Sequence, residues 1–170
     1  MKKDNDIKIQ RLVNHGIFTA IIATLTLFAS IPLPVGSGGA YLNAGDAAVF
    51  ASAWVLGPVG GALVSAVGSS LADLLHGAPI YIPATFIIKG LMAYLAGILF
   101  KKLGKFAPAA AGTVMPVGYF AYELILYGMS AALFGLWTNA IQYVFGAVAG
   151  ALIIAAMERT KLIPHHERTK

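Results

Sequence analysis

GSSLADLLHGAPIYIPATFIIKG, residues Gly68–Gly90, decides how the rest of the chain must fold. It reads as the end of one apolar helix, a short turn and the start of another. Asp73 sits near the end of the first helix, and Lys89 about two turns into the second. In hydrocarbon each such charge costs roughly 2.5–3.5 kcal/mol on insertion scales, so these side chains face partners or a watery cavity rather than acyl chains. The hairpin is expected to form the floor and wall of a binding site.

Composition sets the solvent. Of 170 residues, 58% are hydrophobic and only 11% charged, and the mean hydropathy is +0.77. Long apolar runs with almost no charge point to an integral membrane protein of one domain, 1–170. The net charge of +5 sits in the two tails and one short loop, where it sets orientation rather than attracting nucleic acid. With no cysteine, disulfides, thiolate catalysis and Cys-ligated metals are excluded. MKKDNDIKIQR mixes acids and bases, and the apolar run from Gly16 to Ile31 is long for a signal peptide. A retained first helix is expected.

Outward from the hairpin, the pattern predicts an all-α bundle of six helices at about 7–31, 46–56, 59–75, 83–100, 107–127 and 133–157. Pro32 and Pro34 are expected to end the first. The second runs only from Asp46 to Leu56 before Gly57-Pro58, roughly 17 Å at 1.5 Å per residue. That is short of the ~30 Å hydrocarbon core, so the Gly-rich loop 32–45 is expected to dip inward as a gate. Irregular backbone at that depth must be buried or line a cavity.

Charge parity selects six spans over five. With six, eleven of the twelve Lys and Arg residues fall on one side: the N-terminal segment, the Lys101–Lys105 loop and the C-terminal tail. Both termini are then cytoplasmic. Asp46, Asp73, Lys89 and Glu123 all fall in the outer half of the bundle under this topology. Asn139, Gln142 and Tyr143 share one face of the last helix in the same half. No charged residue lies in the inner halves, so the polar groups describe a pocket open to the outside rather than a path across. Tyr41, Tyr119 and Tyr143 are available to stack on a flat ligand. Tyr81 and Trp137 read as belt residues at the membrane surface. The plain alternatives are that Lys89 pairs with Asp73 or Glu123 to hold helices together, and that Asp46 only caps the second helix.

Several chemistries have no residues to carry them. There is no phosphate-binding G-x-x-x-x-G-K-[ST], no H-E-x-x-H and no G-x-S-x-G. No enzyme activity, cofactor or metal site is expected, and any active transport needs an energising partner. Gly16, Ala20 and Thr24 form a small-residue stripe on the first helix, and Gly146 and Gly150 a G-x-x-x-G on the last, both suited to close helix packing.

IPLPVGSGGAYLNAGDAAVF, the Gly68–Gly90 hairpin, GYFAYELILYG and NAIQYVFGAVAG together resemble the S components of energy-coupling factor (ECF) vitamin transporters. The similarity covers about Ile31 to Gly150 and is greatest to the branch for hydroxymethylpyrimidine or pyridoxine. The resemblance implies a six-helix membrane subunit that captures a small vitamin from outside. It also implies a transmembrane coupling protein and two cytoplasmic ATPases as partners, docking through small residues on the first helix. Gly16, Ala20 and Thr24 match the family's A-x-x-x-A pattern only in part. On this basis Asn43, Asp46, Asp73, Lys89, Glu123, Asn139 and Gln142 are expected to hydrogen-bond the ligand. The competing possibilities are a stand-alone proton-coupled carrier and a membrane scaffold.

Overall fold

The computed structural model describes residues 2–32 and 41–160. In chain order they form α1 (Lys2–Phe28), β1 (Ser30–Pro32), β2 (Tyr41–Asn43), α2 (Gly45–Leu75), a 3-10 turn (Pro79–Tyr81), α3 (Ile82–Leu103), a second 3-10 turn (Gly104–Phe106), α4 (Ala107–Gly112), α5 (Val114–Tyr127) and α6 (Met129–Arg159). Four stretches are long and apolar enough to cross a bilayer: 8–28, 45–75, 79–127 and 129–159.

Several boundaries differ from the pattern-based ones. The first helix stops at Phe28 rather than Ile31, because Ser30–Pro32 pairs antiparallel with Tyr41–Asn43, Ser30 opposite Asn43. The amide of Ala44 donates to Ala29 O at 3.2 Å and closes this ribbon. Of the expected gate, residues 33–40 lie outside the described residues. The helix expected at 107–127 is interrupted at Thr113. Pro116 explains the break: it has no N–H for the carbonyl of Gly112, and its ring crowds that carbonyl.

Gly57 interrupts α2 with φ 79° and ψ 179°, a conformation open to glycine and strained for other residues. Pro58 follows, again without an N–H. The segments either side lie against one another: the hydroxyls of Ser52 and Ser65 are hydrogen-bonded at 3.2 Å, and a Cβ at Gly61 would sit 2.5 Å from Ala53 Cα. In a straight helix residues eight apart are separated by roughly 12 Å, so the chain turns back at Gly57. Gly128, at φ 83° and ψ 179°, joins α5 to α6 by the same device. It lets α6 begin at Met129, one turn ahead of the predicted start.

Contacts at glycines fix which ends lie together. His15 packs on Gly60, and Ile22 on Gly68, so α1 runs beside the second arm of α2 in the same direction. Pro58 packs on Gly97, and Glu158 lies beside Gly104. One end of the bundle therefore carries the Gly57 turn, Lys101, Lys102, Lys105 and Arg159, with Lys8 and Arg11 on the same side of His15. The other carries the ribbon, the His76–Tyr81 turn and Gly128, and among the described residues it has no Lys or Arg. Between them Phe50, Trp54, Met92 and Phe100 fill the core, Trp54 and Phe100 edge to face at 4.9 Å. Leu63, Val67, Leu71 and Leu74 point outward at helical spacing, as a lipid-facing stripe does.

Gly61→Val tests the back-turned arms. Its side chain meets Ala53 backbone, and overpacking of this kind costs about 1–3 kcal/mol. The melting temperature followed by tryptophan fluorescence in detergent should fall. It should not fall in Gly16→Ala, where a Cβ has open space and alanine is the better helix former. Equal melting of Gly61→Val and wild type would separate the arms.

Candidate functional site

α3 and α5 run antiparallel with one face of each in register. Tyr81 meets Glu123, Thr85 meets Tyr119 and Lys89 meets Met115. Residues four apart recur on one face of a helix, so the three pairs stack as rungs roughly 6 Å apart. Tyr81 donates to Glu123 Oε1 at 3.5 Å. The hydroxyls of Thr85 and Tyr119 share a hydrogen bond at 2.8 Å, and Lys89 Nζ lies 3.0 Å from Met115 Sδ. Beyond Lys89 come Ala93 and Ala96 on α3 and, past the break at Thr113, Ala111 and Ala107 on α4, all buried. The polar ladder stops at the lysine.

Lys89 forms an ion pair with Asp46 Oδ1. Gln142 Nε2 donates to Asp46 Oδ2 at 3.1 Å, so both carboxylate oxygens are engaged. Lys89 is 5% exposed and Asp46 2%. Gly146 makes room for this: a Cβ there would be 2.8 Å from Asp46 Cβ, just as Gly150 makes room for Phe50. Asp46 lies in the first turn of α2, where the helix dipole also favours its charge. It is not the cap: Ala44 occupies that position and makes no side-chain cap bond.

The partner of Lys89 is thus Asp46, not Asp73 or Glu123. Lys89 is seven residues into α3, roughly 10 Å along it, and Gly146 is seventeen into α6, roughly 26 Å. The ribbon has lowered the start of α2 well inside the bundle, a depth that counting residues from the ends does not show.

Asp73 and Glu123 are different. Each is 9% exposed, and Asp73 Oδ2 and Glu123 Oε2 have no hydrogen-bond partner among the described residues. Thr85 lies within hydrogen-bonding reach of Asp73, and Lys89 and His76 act on it through space. The Glu123 carboxylate rests on Gly135 of α6. Tyr81 stands 6.4 Å from the Tyr119 ring and 6.0 Å from that of Tyr122, and Tyr122 donates to Ile80 O, strapping the turn to α5. A buried carboxylate oxygen accepts only, and it is costly without a donor. This tier can therefore bind N–H or O–H groups of a solute.

The remaining residues singled out from the sequence lie as follows. Asn139 Nδ2 donates to Gly135 O in its own helix at 2.8 Å. Tyr143 reaches α4, donating to Ala109 O at 2.7 Å with its ring against Gly112. The backbone of Tyr41 and Asn43 forms β2, and their side chains lie outside the described residues. Gly16, Ala20 and Thr24 are all exposed on α1. Tyr81, Thr85 and Met115 were not picked out as site residues. Counting back from Lys89 in fours finds Thr85 and Tyr81, and α5 then supplies Met115 by register.

Residues 6–159 match the family model described as "ECF-type riboflavin transporter, S component". The chain is 30% identical over 163 residues to "Thiamine precursor transporter HmpT" of Lactococcus lactis subsp. cremoris (strain MG1363), 96% of each protein being covered. It is 31% identical over 134 residues to an uncharacterized protein of Pyrococcus woesei, covering 76% of this chain and 88% of that one. The solved structure of the S component of a bacterial ECF transporter has the same fold, with a TM-score of 0.73 over 90% of this chain and 98% of that one at 22% identity.

Breaking a buried ion pair from one side leaves an uncompensated charge, a loss of about 3–5 kcal/mol. Lys89→Met should melt far below wild type. The Asp46→Asn/Lys89→Met double variant, which buries no charge there, should recover most of the difference. A single variant as stable as wild type would mean that the pair is not closed.

Proposed function

Since this chain belongs to the S components of ECF-type transporters, as a multi-pass membrane protein and not an enzyme, we propose that it captures a small donor-bearing heterocycle from outside the cell. A thiamine precursor, hydroxymethylpyrimidine, is the preferred ligand and pyridoxine the second. The preference draws on the near-complete coverage shared with a relative named for thiamine precursor transport. The family description names riboflavin, so family membership leaves the ligand to be chosen on the site.

One observation carries the proposal: the polar ladder ends at Lys89, and Ala93 and Ala96 of α3 and Ala107 and Ala111 of α4, which follow it, are buried and apolar. A vestibule closed at its base holds a solute; it does not conduct one. In this scheme Asp46, Lys89 and Gln142 form the base, and Asp73, Glu123 and Tyr119 bind the ligand. Asn139 and Tyr143 border the site on α6. Tyr41 and Asn43 approach from the ribbon, with loop 32–45 as the gate. The basic end is cytoplasmic by the positive-inside rule, which places both termini there. The arms of α2 count as two passes and α4–α5 as one, six in all. The exposed Gly16, Ala20 and Thr24 stripe is the docking face for a transmembrane coupling protein, itself driven by two cytoplasmic ATPases.

Liposomes containing this chain alone should bind radiolabelled hydroxymethylpyrimidine stoichiometrically without accumulating it. Accumulation should begin when the coupling protein, the ATPases and ATP are supplied. Uptake by the chain alone under a proton gradient would make it a secondary carrier instead.

A further inference from the structure

Glu123 reaches from α5 to α6 and lays its carboxylate on Gly135, where a Cβ would overlap the carboxylate group itself. The clash would be with the mobile end of a side chain and not with backbone. An alanine there would displace the carboxylate and leave the helix intact. Alanine is also the better helix former, so glycine at this interior position of α6 weakens the helix with no turn or positive φ to require it.

The surroundings say what the glycine does. Glu123 Oε1 accepts from Tyr81, while Oε2 is buried and has no partner among the described residues. Next to it on α6, Thr138 Oγ1 and one N–H of Asn139 Nδ2 donate to Gly135 O, at 3.0 and 2.8 Å. They fix the α6 backbone under the carboxylate and leave its second oxygen uncommitted.

We propose that Gly135 is a ligand-positioning residue. Its missing side chain is the berth that seats Glu123 Oε2 in the α5–α6 seam, so that Oε1, held among the described residues only by Tyr81 at 3.5 Å, is the oxygen turned to an N–H of an aminoheterocycle. The proposal rests on the S-component function proposed above and adds to it the residue that sets the acceptor. It also separates the two acids of the outer tier, since Asp73 has Thr85 in reach and no such berth.

The test uses the full chain in nanodiscs, calorimetry with 4-amino-5-hydroxymethyl-2-methylpyrimidine as probe, and thermal melting without ligand. Gly135→Ala should melt at or above the wild-type temperature and yet bind about tenfold to a hundredfold more weakly, the range for a hydrogen bond to a charged group. Glu123→Gln, which keeps the shape, and Glu123→Ala should lose a similar factor. In the Glu123→Ala background Gly135→Ala should add no further loss, since the two act through one contact. Wild-type affinity in Gly135→Ala, additive losses, or a fall in melting temperature matching the fall in affinity would each overturn the assignment. Failure of the wild-type protein to bind the probe would instead remove the functional proposal beneath it.

Discussion

The Lys89–Asp46 ion pair is the constraint on which the rest of this bundle depends. Charges of either sign lose several kcal/mol each when taken out of water, even after relaxation. Here the loss is offset only because every element delivers its part. The ribbon lowers the start of α2 to the level of Lys89, Gly146 admits the aspartate to α6, and Gln142 takes the second carboxylate oxygen. Three segments far apart in sequence are thereby fixed at one depth. A slip of any of them would strand a charge in hydrocarbon.

Above and below that pair the molecule has two characters. Towards the basic end the contacts are between alanines, glycines and large apolar residues, and the polar ones are hydroxyls such as Ser52 and Ser65 bonded to each other. Towards the opposite end each turn of α3 and α5 adds a polar rung. Both oxygens of Asp46 are engaged in the ion pair's network, whereas the acids above it keep an acceptor apiece. That contrast follows depth: the acids with an unpartnered oxygen lie nearer the ribbon end of the bundle, and the closed pair lies beneath them.

Much of this was legible in the sequence. The break at Gly57-Pro58, the turn at His76–Tyr81, the basic stretch after Phe100 and the clustering of acids towards one end follow from composition and spacing. The shortness of the Asp46–Leu56 segment pointed to an inward-dipping loop before it, not to the depth of Asp46 itself. What could not be read was which acid meets Lys89, because helix ends are not level and the ribbon made by Ser30–Pro32 and Tyr41–Asn43 has no strong strand pattern. The interruption at Thr113 hung on Pro116, three residues on, and the role of Gly135 on a contact with a side chain from another helix. Tyr81 looked like an interfacial residue, and its hydroxyl instead turns inward to Glu123.

The chain contains no cysteine, so single cysteines can report water access position by position in oriented membrane vesicles. A membrane-impermeant maleimide should label Tyr81→Cys and Tyr122→Cys, both partly exposed, from the outside, and leave Ala93→Cys and Ala111→Cys unlabelled from either side. Labelling of Ala93→Cys or Ala111→Cys from the cytoplasmic side would contradict a vestibule closed at Lys89.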